Sequence, residues 1–425
     1  VIAVPAETPL DIGHERQQAL PFLTHVARLR HRLPRLPGPA ERGEPLAVGF
    51  YVPWDPDSAA SLRKHYDALD WVVAADAQVK PATGALTTDP DPRLRALAAN
   101  RLHRPRMMLM VQNLTHDDWD GVGMARLLAD PRRSAALIDS TLAALRAGNW
   151  QGVVFDIENI PDNALPAYQA FLAQARARLA RAGYPVALTA PVGEPAWDLH
   201  RFAAASDYLI LMDYDQHWQG GTPGPIAAQD WFNQQLQDAR AKVPAAKLIV
   251  ALGSYGYDWH DGKADALSIP EAWLAAHDSG TLPRFDPASG NSGFAYAEDG
   301  HPHTVWLMDA ATSWNQLVQA RGLRGIALWR LGSEDPGFWE DLRAWRAHGQ
   351  PRLEQIARSS GTDIEGSGEV LKTGAEPQAG LRQVSFARDG TASDVRYAAL
   401  PTPYVIQRSG AADPKAIALT FDDGP

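Results

Sequence analysis

The sequence predicts an α/β protein built on parallel strands, and two observations support that class. Eight short apolar runs lie between residues 46 and 332, and segments with helical spacing separate most of them. A strand–helix order that repeats in this way implies parallel strands. Eight such units over about 290 residues match a (β/α)8 TIM barrel in number and length. A doubly wound open sheet follows the same alternation and is an alternative at this point.

The elements follow one another in a regular order. Residues 1–45 are rich in Pro and Arg and are predicted to form a helix, from Glu15 to Arg32, and a linker. Helices are predicted between the apolar runs, for example from Ala136 to Leu145 and from Tyr168 to Leu179. The eight predicted strands lie at 46–54, 69–75, 107–113, 152–158, 186–192, 208–215, 247–256 and 325–332.

The seventh unit is longer than the others and predicts a small β-rich insertion at about 256–311. Two strand-like pieces, 294–298 and 303–309, flank the turn sequence AEDGHP on the loop side, where they would form the wall of a cleft. His301 and His303 fall in this turn and are predicted to be solvated rather than to form a metal-ligand pair. Residues 346–414 are rich in Gly, Ser and Thr and predict a small β-rich module or a linker.

Composition excludes several classes of function. The 40 Lys and Arg against 50 Asp and Glu give a net charge of −10, which argues against a nucleic-acid partner. The chain has no Cys, which excludes thiol nucleophiles, zinc–thiolate sites, iron–sulfur clusters and disulfides. No apolar run is long enough to predict a membrane span in this segment. The start at Val1 without Met predicts that an upstream signal or anchor has been removed, so the full chain could be membrane-anchored.

The fourth predicted strand, GVVFDIEN, carries the strongest chemical signal. Period-two alternation places Gly152, Val154, Asp156 and Glu158 on one face. Two carboxyl groups at the carboxyl end of a buried strand raise each other's pKa, which keeps one of them protonated near neutral pH as a general acid. A structural ion pair or a helix N-cap beyond the strand is the alternative.

The sixth predicted strand ends in LMDYDQHW. Met212 and Tyr214 share a face, and Asp213 and Asp215 fall on the other unless the strand ends or bulges near Tyr214. Tyr214 and Asp215 would then supply a hydroxyl and a carboxylate to the same cleft. An ordinary strand end that enters a loop is the alternative.

Together these segments resemble glycoside hydrolase family 18, the chitinase-like barrels. The family's fourth strand carries D-x-x-D-x-D-x-E, of which this chain keeps Asp156 and Glu158 and has Gln151 and Val154 at the first two acidic positions. Its sixth strand carries M-x-Y-D, and its eighth ends in a tryptophan beneath the central sugar. The resemblance covers residues 46 to about 345 and assigns these last two motifs to Met212, Tyr214, Asp215 and Trp329. It also implies that KLIVALGSYGYDW is the family's seventh strand and that a small α+β insertion follows it.

The resemblance implies a mechanism and a role for each residue. Glu158 would protonate the glycosidic oxygen, and the substrate's own 2-acetamido oxygen would attack the anomeric carbon with retention. Asp156 would orient the acetamido nitrogen, Tyr214 would bind its oxygen, and Asp215 would contact the sugar and tune Glu158. The substrate-binding residues would be Trp329, stacked beneath the sugar, and Met212, with Trp54, Trp218 and Trp259 extending the lining unless they serve in packing.

The last eleven residues, KAIALTFDDGP, resemble the first motif of NodB-type polysaccharide deacetylases of carbohydrate esterase family 4. The resemblance implies that Asp422 is a general base and Asp423 a metal ligand. The rest of that fold does not follow Pro425, so neither a metal nor a cofactor is predicted in this chain. The order barrel, β module (346–414), deacetylase (415–425) resembles multidomain envelope proteins that continue into a glycosyltransferase, which implies an extracytoplasmic location.

Three functional hypotheses follow. The first is a retaining glycosidase acting on a β-linked polymer that contains N-acetylglucosamine or another N-acetylhexosamine. The second is a non-hydrolytic carbohydrate-binding barrel that holds polymer for an adjacent deacetylase or glycosyltransferase. The third is an interaction scaffold in which the acidic pair is structural. The protein is expected to be a monomer whose partner is a polysaccharide or oligosaccharide.

Overall fold

The computed structural model describes residues 44–99, 105–115, 118–359, 362–368 and 370–410. The helix predicted from Glu15 to Arg32 lies outside these ranges, as does the deacetylase-like strand with Asp422 and Asp423. None of the helices in the described part of the chain is long and apolar enough to cross a membrane.

Eight parallel strands close into a barrel, which confirms the predicted fold class. Each strand overlaps one predicted run and pairs with the next along the chain. The ring closes where the first strand pairs with both the second and the eighth, with Val48 opposite Trp71 and Leu46 opposite Gly325. The barrel strands are β1 (Leu46–Tyr51), β2 (Trp71–Lys80), β3 (Arg106–Gln112), β4 (Val153–Asp156), β5 (Val186–Pro191), β6 (Tyr208–Met212), β7 (Leu248–Gly253) and β8 (Gly325–Trp329).

Alternation along the strands separates two apolar layers. Val154 belongs to a cluster inside the barrel with Val48 and Ile210. Its neighbours Val153 and Phe155 belong instead to the larger cluster between the barrel and the helices. Because successive side chains of a strand point to opposite faces, strands buried on both sides read as continuous apolar runs.

Helices follow most of the strands, and polar caps fix where several of them begin. Asp55, Asp130 and Asp198 each accept a hydrogen bond from a backbone N–H in the first turn of the following helix. Such caps stabilise a helix by about 1 kcal/mol. The described helices are Pro56–His65, Pro92–Ala99, Gly121–Ala129, Pro131–Gly148, Leu165–Ala180, Leu199–Ala205, Gln229–Lys242, Ile269–Asp278, Ala310–Gln319 and Phe338–Arg346, with 3-10 turns at Tyr66–Ala68 and Asp162–Ala164.

An α+β insertion lies between β7 and β8, as predicted. It contains the helix Ile269–Asp278 and the strands Gly256–His260, Lys263–Leu267, Arg284–Asp286, Asn291–Glu298 and His301–Leu307. Short antiparallel strands at Ala85–Thr88, Leu114–Thr115 and Asp118–Trp119 accompany the barrel. The C-terminal part is β-rich, also as predicted, with strands Gln355–Ile356, Thr362–Gly366, Val370–Thr373, Gly380–Phe386, Ala392–Ala399 and Tyr404–Ser409.

The insertion and part of the C-terminal segment form one sheet, which we call the extended sheet. Its eight strands run in the order 263–267, 256–260, 301–307, 291–298, 284–286, 392–399, 380–386 and 355–356. Arg284 of the insertion lies opposite Arg396 where the two parts meet. The strands 355–356, 380–386 and 392–399 thus continue the sheet of the insertion, whereas 362–366, 404–409 and 370–373 form a separate three-stranded sheet. A domain boundary at 346 stays a prediction.

A buried ion pair ties the extended sheet to the barrel. Arg382 donates from Nη1 to Asp335 Oδ2 over 2.5 Å, and both side chains are fully buried. Asp335 also accepts hydrogen bonds from the backbone N–H groups of Ala310 and Gly337. The guanidinium Nε donates to the carbonyl of Leu353. Each charge thus has a partner, which a buried ion pair requires if it is not to destabilise the fold.

The prediction for His303 was wrong. The two-residue turn is formed by Asp299 and Gly300, both with positive φ, and His303 lies in the following strand. There it is buried, stacks on Tyr296 with ring centroids 4.4 Å apart, and hydrogen-bonds through Nδ1 to Asp258. The cross-strand pairing of Tyr296 with His303 sets this register, whereas His301 is exposed and contacts Asp261.

Candidate active site

A cleft of about 520 Å³ opens at the carboxyl end of the barrel strands. In TIM barrels this end carries the functional loops. The carboxyl groups of Asp156, Glu158 and Asp215 meet there, after β4 and β6. The other lining residues are Phe50, Trp119, Thr189, Pro191, Val192, Met212, Tyr214, Gln219, Trp231, Tyr257 and Trp329.

Backbone contacts hold Glu158 in place just beyond β4. Its N–H donates to Asn113 Oδ1 and its carbonyl accepts from Asn113 Nδ2, both over 2.9 Å. The next residue, Asn159, has a left-handed φ of 55°, and its carbonyl lies against Gly121. A Cβ at position 121 would come within 1.7 Å of that oxygen, so only glycine permits this approach.

Two neutral side chains hold Asp156. Gln112 donates from Nε2 to Oδ2 over 2.8 Å, and Thr189 donates from Oγ1 to Oδ1 over 2.6 Å. The two positions where the family motif has aspartates contribute nothing to this contact. Val154 lies in the apolar barrel interior, and Gln151 hydrogen-bonds to backbone groups of Met107 and Asn149.

Backbone geometry brings Tyr214 and Asp215 into the same cleft. β6 ends at Met212, and Asp215 adopts a left-handed φ of 65°, which breaks the alternation of the strand. Tyr255 and Tyr257 then donate to Asp215 Oδ1 over 2.5 and 3.1 Å. Asp213 points elsewhere, is fully buried, and its carboxyl makes no hydrogen bond within the described residues.

The three cleft carboxyl groups have raised pKa values. Burial, followed by the charges of Asp156 and Asp215, raises the pKa of Glu158 to about 8. Burial raises the pKa of Asp156 although Thr189 and Gln112 oppose the shift, and it raises that of Asp215 against the opposing effect of its two tyrosine partners. Burial and these three carboxyl groups hold the pKa of Tyr214 well above its usual value, so its hydroxyl stays a neutral donor. This shift favours the protonated form of Glu158 near neutral pH.

Replacing Thr189 by Val is expected to lower kcat by about tenfold to a hundredfold, the range that corresponds to losing a hydrogen bond to a charged group. The change keeps the shape of the side chain but leaves Asp156 Oδ1 without its donor. Kinetics on an oligosaccharide of the class that the resemblance implies would measure the loss. Thr189→Ser, which keeps the hydroxyl, should restore most of the activity, and an equal loss in both variants would contradict this role.

The four predicted tryptophans lie in different environments. Trp329 lines the cleft, with its ring 5.3 Å from that of Phe50. Trp54 and Trp218 are exposed by 61% and 55%, outside the cleft lining. Trp259 is buried beside Tyr257 and donates to the carbonyl of Gly221, which is a packing role.

Other residues of the site were not predicted from the sequence. Trp119 lies in the short strand Asp118–Trp119 that follows β3. An aromatic residue soon after a predicted strand end is a signal that could have found it. Thr189, Gln112 and Trp231 carry no such signal, because their places depend on how neighbouring strands and helices pack. In the part of the chain that the structure describes, no group of three His, Asp or Glu residues is arranged to hold a metal ion.

Curated relatives cover most of the barrel. The chain is 23% identical to the glycosylase YvbX of Bacillus subtilis (strain 168) over 71% of this chain and 93% of that protein. It is 25% identical to the cortical fragment-lytic enzyme of Bacillus anthracis over 55% of this chain and spans 59% of that enzyme's length.

A solved structure and a family model extend these likenesses. A chitinase from Chromobacterium violaceum superposes with a TM-score of 0.65 at 24% identity, over 71% of this chain and 99% of that one, which shows a shared fold. The family model described as glycosyl hydrolases family 18 matches residues 47–335, the barrel together with its insertion. On this match the chain belongs to glycosyl hydrolases family 18.

Proposed function

We propose that the protein is a retaining, substrate-assisted glycoside hydrolase of polysaccharides that contain β-linked N-acetylhexosamine. The observation that carries this proposal is the carboxyl group of Glu158. It lies in an accessible cleft, with a pKa raised to about 8 by burial and by Asp156 and Asp215. A carboxylic acid that is protonated at neutral pH and faces a cleft is what protonation of a glycosidic oxygen requires.

In the first step Glu158 gives its proton to the glycosidic oxygen while the bond from that oxygen to the anomeric carbon breaks. The carbonyl oxygen of the substrate's 2-acetamido group forms the new bond to the anomeric carbon, giving an oxazolinium ion. The Glu158 carboxylate then takes a proton from water, which attacks the same carbon and reopens the ring. Two displacements give retention without an enzyme carboxylate as nucleophile, one of the known exceptions to the two-carboxylate scheme.

The neighbouring side chains position the acetamido group in this scheme. Asp156, fixed by Gln112 and Thr189, accepts a hydrogen bond from the acetamido N–H. The neutral hydroxyl of Tyr214 donates to the acetamido oxygen, and Trp329 supplies an apolar face for the sugar ring. Positioning of this kind converts the internal attack into a reaction of high effective concentration.

A non-hydrolytic carbohydrate-binding barrel is the second candidate. The apolar Val154 favours it. The family motif has an aspartate at this position of β4 that would pair with Asp156, and this chain has no carboxylate there. The hydrogen bonds from Gln112 and Thr189 to Asp156 favour hydrolysis instead. They hold the Asp156 carboxyl group in place of the missing aspartate at position 154.

Defined N-acetylglucosamine oligomers of different linkage test the proposal. We expect cleavage of a β-linked oligomer, with the β-anomer appearing first in the proton NMR spectrum. An oligomer whose sugar on the non-reducing side of the scissile bond has a free amine should resist cleavage there. The α-anomer as first product, or equal cleavage of the deacetylated oligomer, would contradict the mechanism. Tight binding in calorimetry without product would support the binding barrel.

We also propose that the protein acts outside the cytoplasm, as a monomer. The names of its relatives, which include a cortical fragment-lytic enzyme and a chitinase, support action on a structural polymer.

The interpretation of residues 415–425 as the start of a deacetylase stays a prediction.

A further inference from the structure

A second cavity, of about 330 Å³, adjoins the main cleft. It lies between the loops that follow β4 and β5. Glu158, Thr189, Pro191 and Met212 line both cavities. The two spaces therefore meet at the side chain to which the proposed function assigns proton transfer.

With a sugar bound as the proposed function has it, the barrel topology puts this cavity on the leaving-group side of the scissile bond. Trp329 stands at the end of β8, which is directly across the eight-stranded ring from β4, and it lines only the main cleft. In the proposed mechanism a sugar on Trp329 keeps its acetamido group beside Asp156 and Tyr214, so the glycosidic oxygen that Glu158 protonates lies on the side away from β8. The next sugar then lies toward the loops after β4 and β5.

Carboxylates and one indole give the second cavity its chemical character. Asp162 and Glu194 line it, no Lys, Arg or His is among its lining residues, and neither carboxylate forms an ion pair with a described residue. Trp197 also lines it and is held by stacking on Phe202, with ring centroids 4.5 Å apart. The nearby Arg201 pairs instead with Asp198, over 3.2 Å.

We infer that the second cavity selects a positively charged amino sugar, one with a free 2-amino group, as the leaving group. This inference rests on the proposed glycosidase function and narrows its substrate to a partly deacetylated polymer. The indole of Trp197 offers an apolar face to the sugar ring, and the two carboxylates attract an ammonium group at its edge. An acetamido group has no charge and gains nothing from them. The enzyme thus binds an N-acetylated sugar at Trp329 and a sugar with a free 2-amino group in the second cavity.

Two oligosaccharides that differ only in the leaving-group sugar test this inference. Both keep the acetamido group on the non-reducing side of the scissile bond, and one has a free amine on the other side. At pH 6 and low salt we expect kcat/KM to be about threefold to tenfold higher for the amine, the range for one or two partly exposed ion pairs. The double variant Asp162→Asn with Glu194→Gln should bring this ratio close to one. Raising the salt concentration should have the same effect, because it screens exposed charges.

Asp198→Asn is the matched control. It removes one negative charge from the same loop but lies outside the cavity, and Asn keeps the helix cap. Its ratio should equal that of the unaltered protein. Equal cleavage of the two substrates, or a ratio that the double variant does not change, would overturn the inference and leave the glycosidase function intact. Failure to cleave either substrate would instead overturn the proposed function, and this inference with it.

Discussion

Replacing Glu158 by Gln is expected to lower kcat by a factor of about 10²–10⁴, the usual contribution of a general acid. The amide has nearly the same shape but cannot give a proton to the glycosidic oxygen. KM should change little, because the rest of the cleft is untouched. The loss would be measured on a β-linked N-acetylglucosamine oligomer, with Glu298→Gln, at the exposed hairpin turn, as control. Equal turnover by the Glu158 variant and the unaltered protein would remove Glu158 from the mechanism.

The pH dependence of kcat/KM tests the protonation state of Glu158 independently. The acid must be protonated, so activity should fall as the pH rises through about 8, where Glu158 titrates. If kcat/KM already falls as the pH rises through about 5, another group supplies the proton.

The same shift predicts how stability depends on pH. A free glutamate titrates near pH 4.3, whereas burial and the carboxylates of Asp156 and Asp215 raise the pKa of Glu158 to about 8 in the folded protein. The folded state therefore binds this proton more tightly, and stability is lost as the pH rises from about 4 to about 8. Glu158→Gln does not titrate, so it should lose less stability than the unaltered protein between pH 5 and 9 in thermal unfolding.

Replacing Arg382 by Met is expected to lower the free energy of unfolding by about 3–5 kcal/mol, because it leaves the carboxylate of Asp335 buried without its cation. Both side chains of this pair are fully buried. Asp335 keeps only its backbone donors, from Ala310 and Gly337. Urea unfolding followed by tryptophan fluorescence would measure the loss.

Arg396→Met is the matched control on the neighbouring strand. Arg396 is 77% exposed and pairs with Asp394 at the surface, so its loss should cost about 1 kcal/mol or less. Equal effects of the two substitutions would show that the buried pair adds no more than a surface pair.

The barrel was predictable because its signals are local. A strand buried on both faces reads as an apolar run, and eight runs with helices between them leave few architectures. One aspect of the site was equally local: the D-x-E spacing at the end of β4 predicts Glu158 at the carboxyl end of a strand. Trp329 was assigned by the resemblance to family 18, and the structure has both residues lining one cleft.

The support of Asp156 was not predictable in the same way. Gln112 ends β3 and Thr189 lies in β5, so both reach Asp156 only because β4 lies between those strands. Nothing in the spacing of Gln112 or Thr189 marks them as its partners. His303 shows the same limit: its burial follows from strand register in the insertion, and the turn sequence before it suggested solvent.

The extended sheet also determines which part of the chain can fold last during synthesis. Tyr257, which lines the cleft and holds Asp215, belongs to a strand of this sheet, whereas the strands 380–386 and 392–399 that complete it come more than a hundred residues later. The barrel can close once β8 has emerged from the ribosome, since Leu46 then meets Gly325. The edge of the sheet at 284–286 stays unpaired until residue 396 arrives. Folding of the catalytic cleft is thus expected to finish after barrel closure, as a late step that pairs residues far apart in sequence.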